Sequence, residues 1–223
     1  VDVWMAPHLF HTEQSAGAPP DDFAADGQNW GFPTYNWERM QEEGDFRWWR
    51  QRFERQARYF HAFRIDHILG FFRIWEVPRT QRSGLLGHFH PALPYSLEEW
   101  QEKLALPFPT ELLTAPLVHE DELTARLGDS FDDLLDSGYL HSTALAGLYQ
   151  LTYGEQADYE TEAAQRALGA DVATVLAELC TETALIADPY KAGHYHPRIA
   201  LERSRLFARL PEEVQNRWRA VSD

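Results

Sequence analysis

The spacing of apolar and polar residues predicts one amphipathic helix and one short strand in the first third of the chain. Apolar side chains recur at intervals of three and four, which places them on one helix face: Phe46, Trp49, Phe53, Ala57 and Phe60. Asp45 precedes this stripe and is expected to cap the helix, which would run to about residue 60. Directly afterwards, residues 62–67 alternate apolar with charged side chains, which predicts a strand that Gly70 closes.

The stretch before this helix is rich in turn-forming residues. Residues 17–20 read Gly-Ala-Pro-Pro, residues 26–27 read Asp-Gly and residues 31–33 read Gly-Phe-Pro. Such combinations are typical of turns, so we expect residues 8–37 to form one long loop. Loops of this length usually carry function, and the aromatic residues among 23–37 favour an ordered conformation.

The rest of the chain favours short helices. Residues 79–192 are rich in Leu, Ala and Glu and are broken by prolines, and Ser96 followed by Glu99 matches a capping box. Helical spacing also covers residues 158–168 and 171–185. The last segment opens with Gly-His-Tyr-His-Pro at 193–197 and is expected to end in a charged helix, with apolar positions Leu201, Leu206, Leu210 and Val214.

Charge and cysteine content narrow the class of protein. The 223 residues carry 35 Asp and Glu against 20 Lys and Arg, a formal net charge of −15, which disfavours binding to nucleic acid or to anionic membranes. No apolar run reaches the roughly 18 residues of a spanning helix. Cys180 is the one cysteine, so we expect a cytoplasmic protein. The chain starts with Val1 instead of methionine, and we expect a fragment of a longer protein; its oligomeric state stays open.

Arg64 and Asp66 are the first candidates for chemistry. Two residues apart on a strand, their side chains leave the same face. A guanidinium beside a carboxylate stabilises the ionised form, which suits a nucleophile more than a proton donor. An ordinary surface ion pair explains the same spacing, so the spacing alone does not decide between the two interpretations.

Two pairs of histidines raise the question of a metal site. The pairs are His88 with His90 and His194 with His196, and in each pair both imidazoles lie on one side of an extended segment. No third ligand is indicated beside either pair. We therefore predict no metal and no other cofactor.

Three motifs resemble a known family. Residues 63–78 read Phe-Arg-Ile-Asp-His-Ile-Leu-Gly-Phe-Phe-Arg-Ile-Trp-Glu-Val-Pro, and this stretch resembles the nucleophile-bearing strand of the 4-α-glucanotransferases, the amylomaltases and disproportionating enzymes of glycoside hydrolase family 77. Residues 17–21 and 27–37 resemble the loop that covers the donor sugar in the same family. The three motifs occur in the family's order and spacing, which makes the resemblance specific.

The resemblance implies a role for individual residues. Asp66 would attack the anomeric carbon as the nucleophile, and Arg64 would hold its carboxylate in place. The implied substrate-binding residues are His67, Trp30, Asp21, Gln28 and Asn29. Retaining enzymes need a second carboxyl as acid and base. In the family that glutamate lies in an Ala-Glu-Asp-Leu-Gly-like segment and a third carboxylate follows a His-Asp pair; this chain contains neither, so we expect it to be inactive alone.

The resemblance also implies a fold and a domain organisation. The expected fold class is α/β, a partial (β/α)8 TIM barrel with a mostly α-helical insertion. Residues 1–78 would form a barrel segment with the donor-site loop and the nucleophile strand, and residues 79–192 would form the insertion found in the larger disproportionating enzymes. Residues 193–223 would return to the barrel as helix.

The function implied is transfer of α-1,4-glucan segments or glucosyl units. Maltose or malto-oligosaccharides would be donors and a glucan such as starch or glycogen the acceptor, with retention through double displacement. Two alternatives remain open on the residues alone. One is a hydrolytic α-amylase-like glycosidase, and the other is a noncatalytic module that binds carbohydrate or another protein through its helices.

Overall fold

The computed structural model describes residues 2–222 and mixes helices with short strands along the whole chain, which confirms the mixed α and β composition. Val1, the first residue of the predicted segment 1–78, and Asp223, the last residue of the predicted segment 193–223, lie outside the described residues. The elements up to residue 78 are α1 (Asp2–Met5), β1 (Phe10–His11), β2 (Gln14–Ala18), β3 (Gln28–Asn29), β4 (Thr34–Tyr35), α2 (Trp37–Glu42), α3 (Arg47–Ala57) and β5 (Ile74–Pro78).

Residues 79–192 contain both helices and strands. The elements are β6 (His88–His90), β7 (Tyr95–Ser96), α4 (Leu97–Leu104), β8 (Leu117–His119), α5 (Glu120–Leu127), α6 (Ser130–Asp136), β9 (Leu140–Ser142), β10 (Leu148–Leu151), α7 (Gln156–Tyr159), α8 (Glu162–Leu168), α9 (Ala170–Leu179) and β11 (Leu185–Ala187). The remaining elements are β12 (His194–Pro197), α10 (Arg205–Arg209) and α11 (Glu212–Ser222). Among residues 2–222, no helix combines the length and apolar character needed to cross a lipid bilayer.

Strands of the described residues pair antiparallel in separate sheets. A four-stranded sheet has the order β3-β2-β5-β6, and three-stranded sheets have the orders β8-β10-β9 and β11-β12-β7. The short strands β1 and β4 form a fourth pair. Over residues 2–222 these sheets do not close into a barrel.

Two apolar cores hold the second half of the chain together. One core packs α4 and the last helices around Trp100, Leu104 and Trp218, with the Trp100 and Trp218 rings stacked 5.7 Å apart. Its members include the predicted apolar positions Leu201, Leu206, Leu210 and Val214. The end of the chain is helical as predicted, but it is divided into a 3-10 turn at Leu201–Arg203 and the helices α10 and α11, with Leu210 between the two helices. The other core packs α5, α6 and α9 on the sheet of β8, β9 and β10. The predicted capping box of Ser96 and Glu99 is present at the start of α4.

The strand predicted at residues 62–67 is wrong. The structure has no strand there; residues 61–69 are all exposed, and a single turn of 3-10 helix follows at Ile68–Phe71. Alternation of apolar and charged residues gives two different faces, but a strand also needs a neighbouring strand for its backbone hydrogen bonds. Residues 62–67 pair with no strand of the described chain.

Three further expectations need correction. The predicted loop over residues 8–37 contains β1 to β4, and the small residues of β2 (Gln-Ser-Ala-Gly-Ala) give a strand without the usual apolar alternation. The predicted helix is present as α3, but it is shorter than expected. Phe46 occupies the N-cap of α3, and both Asp45 and Phe46 have left-handed backbone angles. The Asp45 carboxylate does not cap the helix and forms an ion pair with Arg50. The other helices predicted over residues 158–185 are split, and Leu185 lies in β11.

Gly17 is the position where β2 and β3 approach most closely. A Cβ atom at Gly17 would lie 2.1 Å from the Gln28 carbonyl oxygen, so an alanine would force β3 away from β2. We expect Gly17→Ala to lower the free energy of unfolding by about 1–3 kcal/mol, as overpacking does elsewhere. Urea unfolding followed by circular dichroism measures this change.

Gly154→Ala is the matched control for this prediction. A Cβ atom there meets only Pro116, at 3.8 Å, which is an ordinary contact. Equal unfolding midpoints for the two variants would contradict the close approach of β2 and β3.

Candidate active site

A cleft of about 530 Å³ lies between the loop of residues 30–37, helix α3 and the segment of residues 63–71. Eight of its 19 lining residues are aromatic: Trp30, Phe32, Tyr35, Trp37, Trp49, Phe53, Phe63 and Phe71. Flat aromatic faces cover the apolar side of a sugar ring, while polar groups at the edges bind hydroxyls. The shape and lining therefore suit a carbohydrate.

Asp66 and Arg64 meet at the mouth of this cleft. Arg64 Nη2 donates to Asp66 Oδ1 at 3.2 Å, and the two side chains are 84% and 89% exposed. An ion pair this exposed contributes about 1 kcal/mol or less to stability. The pair therefore does little for folding, and its value lies in keeping a carboxylate beside a cation where a ligand in the cleft can reach both.

Trp30 and His67 line the same cleft as Asp66. Their rings meet edge to face, with 5.2 Å between centroids, and Trp30 Nε1 donates to Gln28 Oε1 at 2.9 Å. His67 has a left-handed backbone conformation, with φ at 51°, which turns the chain immediately after Asp66. The structure thus brings together four of the predicted residues: Asp66, Arg64, His67 and Trp30.

The remaining predicted residues do not line this cleft. Asn29 donates to the Gln81 carbonyl at 2.8 Å and accepts from the Gly31 N–H at 2.9 Å, so it shapes the turn that presents Trp30. Gln28 supports the Trp30 indole. Asp21 Oδ1 accepts the N–H groups of Phe23 and Ala24 in a separate turn. Their roles in binding substrate stay predictions.

The cleft holds one carboxylate. Asp66 is the only acidic residue among the described residues that line it, and Arg52, Arg64 and His67 are its basic ones. Glycoside chemistry with retention needs two carboxyls about 5 Å apart. The described lining therefore supplies one of the two carboxyls that this chemistry needs.

Sequence reasoning missed a buried polar cluster behind the cleft. Glu76, in the centre of β5, is fully buried; Thr34 donates to its Oε1 at 2.5 Å and Tyr190 donates to its Oε2 at 2.7 Å. Burial and the nearby Glu76 carboxylate raise the pKa of Tyr190, so its hydroxyl keeps the proton that it donates. The signal was present in the sequence, because Glu76 stands between Trp75 and Val77 in an otherwise apolar strand.

The cluster continues into β6 and β12. The imidazole rings of His88 and His196 stack with 4.4 Å between centroids, and His196 Nε2 donates to Asp188 Oδ2 at 2.7 Å. Burial raises the pKa of Asp188, but hydrogen bonds from His196 and from backbone N–H groups outweigh it and leave that pKa below its usual value. Burial, with the neighbouring His196, lowers the pKa of His88 to about 3.

Comparison with known proteins identifies relatives of the chain. A family model described as 4-alpha-glucanotransferase matches residues 1–188. The 4-alpha-glucanotransferase DPE2 of Oryza sativa subsp. japonica is 35% identical over 230 residues, which cover 97% of this chain and 23% of the rice protein. The 4-alpha-glucanotransferase of Aquifex aeolicus is 42% identical over 94 residues, 40% of this chain and 19% of that protein.

A solved structure is also similar in part. The amylomaltase from Streptococcus agalactiae in complex with acarbose aligns with 38% identity and a TM-score of 0.38, over 41% of this chain and 19% of that one. The chain thus spans less than a quarter of the length of these relatives.

Tyr190 is expected to matter for stability through its hydroxyl. Tyr190→Phe removes a donor from the buried Glu76 carboxylate, and a buried acceptor left without its partner costs about 1–3 kcal/mol. We expect the free energy of unfolding in urea to fall by that amount. Tyr59→Phe, at a side chain that is 79% exposed, is the control and should leave the midpoint unchanged. A Tyr190→Phe variant as stable as the parent would argue against the contact.

Proposed function

Because the chain belongs to the 4-alpha-glucanotransferase family, glycoside hydrolase family 77, we propose that it carries the nucleophile and part of the donor-sugar site of a glucan transferase. The observation that carries this proposal is the position of Asp66, which pairs with Arg64 and lines an aromatic cleft together with Trp30 and His67. The activity proposed is that of the whole protein to which these residues belong.

In the proposed reaction Asp66 attacks C1 of the donor sugar. A bond forms between a carboxylate oxygen and C1 while the glycosidic C1–O bond breaks, and the leaving oxygen takes a proton from an acid outside the described cleft. Arg64 holds the attacking carboxylate in position. A hydroxyl of the acceptor glucan then attacks C1, gives its proton back to the conjugate base of that same acid and displaces the Asp66 carboxylate, so the anomeric configuration is retained.

The aromatic lining serves binding in this proposal. Trp30 lies against one face of the donor sugar, and His67 donates to a sugar hydroxyl. The donor is maltose or a malto-oligosaccharide, and the acceptor is a glucan. Transfer to a sugar requires that the acceptor reach the intermediate before water does, and an aromatic wall that excludes water favours that outcome. The comparisons give no support to a hydrolytic α-amylase or to a noncatalytic module.

We also propose that residues 1–78 and 193–223 belong to a (β/α)8 barrel that residues 79–192 interrupt. Two observations support this division. The rice relative matches 97% of the chain, whereas the Aquifex relative matches 40% of it. In addition, β7 lies within residues 79–192 and pairs with β12, which follows them, so most of this stretch starts and ends at neighbouring positions, as an inserted domain requires.

The 223 residues alone are expected to lack transferase activity. The cleft offers Asp66 but no second carboxylate to protonate the leaving oxygen, and general acid catalysis contributes about 10²–10⁴-fold to rate. Incubation of the chain with maltose should release no glucose above a blank, while a complete member of the family serves as positive control. Glucose release by the isolated chain would show that its own residues supply the acid.

The role of Asp66 can be tested by substitution in the whole enzyme. Asp66→Asn keeps the size of the side chain but removes the attacking carboxylate, so glucose release from maltotriose should fall about 10³-fold or more. Circular dichroism should be unchanged, because the Arg64 ion pair is exposed.

Asp45→Asn provides the matched control for Asp66→Asn. Asp45 is also an exposed carboxylate paired with an arginine, Arg50, at 2.9 Å, and it lies outside the cleft. Its substitution should leave the rate unchanged. Retained turnover in Asp66→Asn would remove Asp66 from the nucleophile role.

A further inference from the structure

We propose that His88, Asp188 and His196 form a binding site for a divalent transition-metal ion, and that Zn²⁺ fits it best. The three residues come from β6, from the turn after β11 and from β12. Each offers one ligand atom, and these atoms all lie within 4.8 Å of one another; no ion is present. This site is separate from the cleft that contains Asp66, and the proposal does not rest on the glucanotransferase activity.

His88 is the side chain that most needs a partner. Only 3% of its side chain is exposed, and neither ring nitrogen makes a hydrogen bond within the described residues. A buried polar atom without a partner is costly, and native proteins rarely keep one without a reason. The nearest charged group, Glu76 Oε2, is 3.9 Å from His88 Nε2, beyond hydrogen-bond distance. A metal ion would satisfy one nitrogen of His88.

The geometry leaves the His88 ring free to coordinate, because neither of its nitrogens has a hydrogen-bond partner within the described residues. Coordination by His196 and Asp188 would replace the hydrogen bond from His196 Nε2 to Asp188 Oδ2. Asp188 is positioned by its second oxygen: Oδ1 accepts the backbone N–H groups of Tyr190 and Lys191 at 2.8 and 2.6 Å, which directs Oδ2 toward His196. Such outer contacts orient the ligands of known metal sites.

The donor set selects the class of ion. Two imidazole nitrogens and one carboxylate oxygen suit Zn²⁺ and other borderline ions, whereas Ca²⁺ and Mg²⁺ prefer oxygen ligands alone. Glu76 supplies a second carboxylate close to His88, so a divalent ion would also offset buried negative charge.

Two ligand atoms on one tetrahedral Zn²⁺ lie roughly 3.3 Å apart, given bonds of about 2.0–2.1 Å. Binding must therefore draw the ligands together and turn the His88 and His196 rings out of their parallel stack.

The first experiment measures metal binding to the full chain after treatment with a chelator. Titration with Zn²⁺ is followed by calorimetry, and titration with Co²⁺ is followed by its visible absorption, which reports tetrahedral coordination with nitrogen ligands. We expect one equivalent to bind with micromolar or tighter affinity. His196→Gln and Asp188→Asn should each weaken binding by about 100-fold or more. Asp188→Asn keeps an oxygen for the two backbone N–H groups, so it tests the ligand role without removing the turn.

His194→Gln is the matched control. It lies two residues before His196 on β12, and its Nδ1 faces the Ala192 carbonyl instead of the cluster. This variant should bind metal like the parent chain. A second group, His11, Glu38 and His90, is the competing site, and His11→Gln should leave the affinity unchanged.

Three results would overturn the proposal: no binding of one equivalent to the parent chain, binding that survives both His196→Gln and Asp188→Asn, or binding that His11→Gln abolishes. Circular dichroism confirms that each variant is folded. If His196→Gln does not fold, His88→Gln takes its place, because His88 makes no hydrogen bond that the substitution would break.

Discussion

The arrangement of this chain depends on the hydrogen bonds that the buried Glu76 carboxylate accepts. A carboxyl group without exposure to water is tolerated only where hydrogen bonds compensate for its lost hydration, and here Thr34 and Tyr190 provide them. Thr34 lies in β4, beside the loop that presents Trp30, and Tyr190 lies in the turn that leads into β12. The Glu76 side chain therefore connects the loop beside the candidate cleft to the turn that precedes residues 193–223.

The segment that carries Asp66 is held in a different way. It has no strand partner among the described residues, and its position follows from aromatic contacts: Phe63 stacks on Phe53 with 5.0 Å between centroids, and Phe71 contacts Trp37 and Trp49. Such contacts fix the ends of the segment but leave its centre open to solvent. An exposed Arg64 and Asp66 pair beside an aromatic wall is consistent with a site that gains its remaining walls from elsewhere in the protein.

Sequence patterns predicted what depends on local spacing. The capping box of α4 and the buried apolar positions near the end of the chain follow from local spacing, and the structure contains both. The periodicity also predicted α3, which is present over a shorter range than the predicted stripe. The strand at residues 62–67 failed because strand formation depends on a distant partner that local alternation does not report. The cluster around His88 was missed for a related reason: Asp188 is 100 positions from His88 along the chain, and only the pairing of β11 with β12 brings His196 to it.

The buried cluster lies where the inserted stretch would leave and rejoin the rest of the chain. β6 lies near the start of that stretch and belongs to the sheet of β5, while β12 follows the stretch and pairs with β7. The stacked rings of His88 and His196 join these two sheets at 4.4 Å, and Tyr190 adds a second link to Glu76. An insertion moves relative to its host unless contacts at the junction restrain it. Hydrogen bonds to a buried carboxylate are directional, so they restrain orientation more strongly than apolar contact does, and Thr34, which lines the cleft, takes part in that restraint.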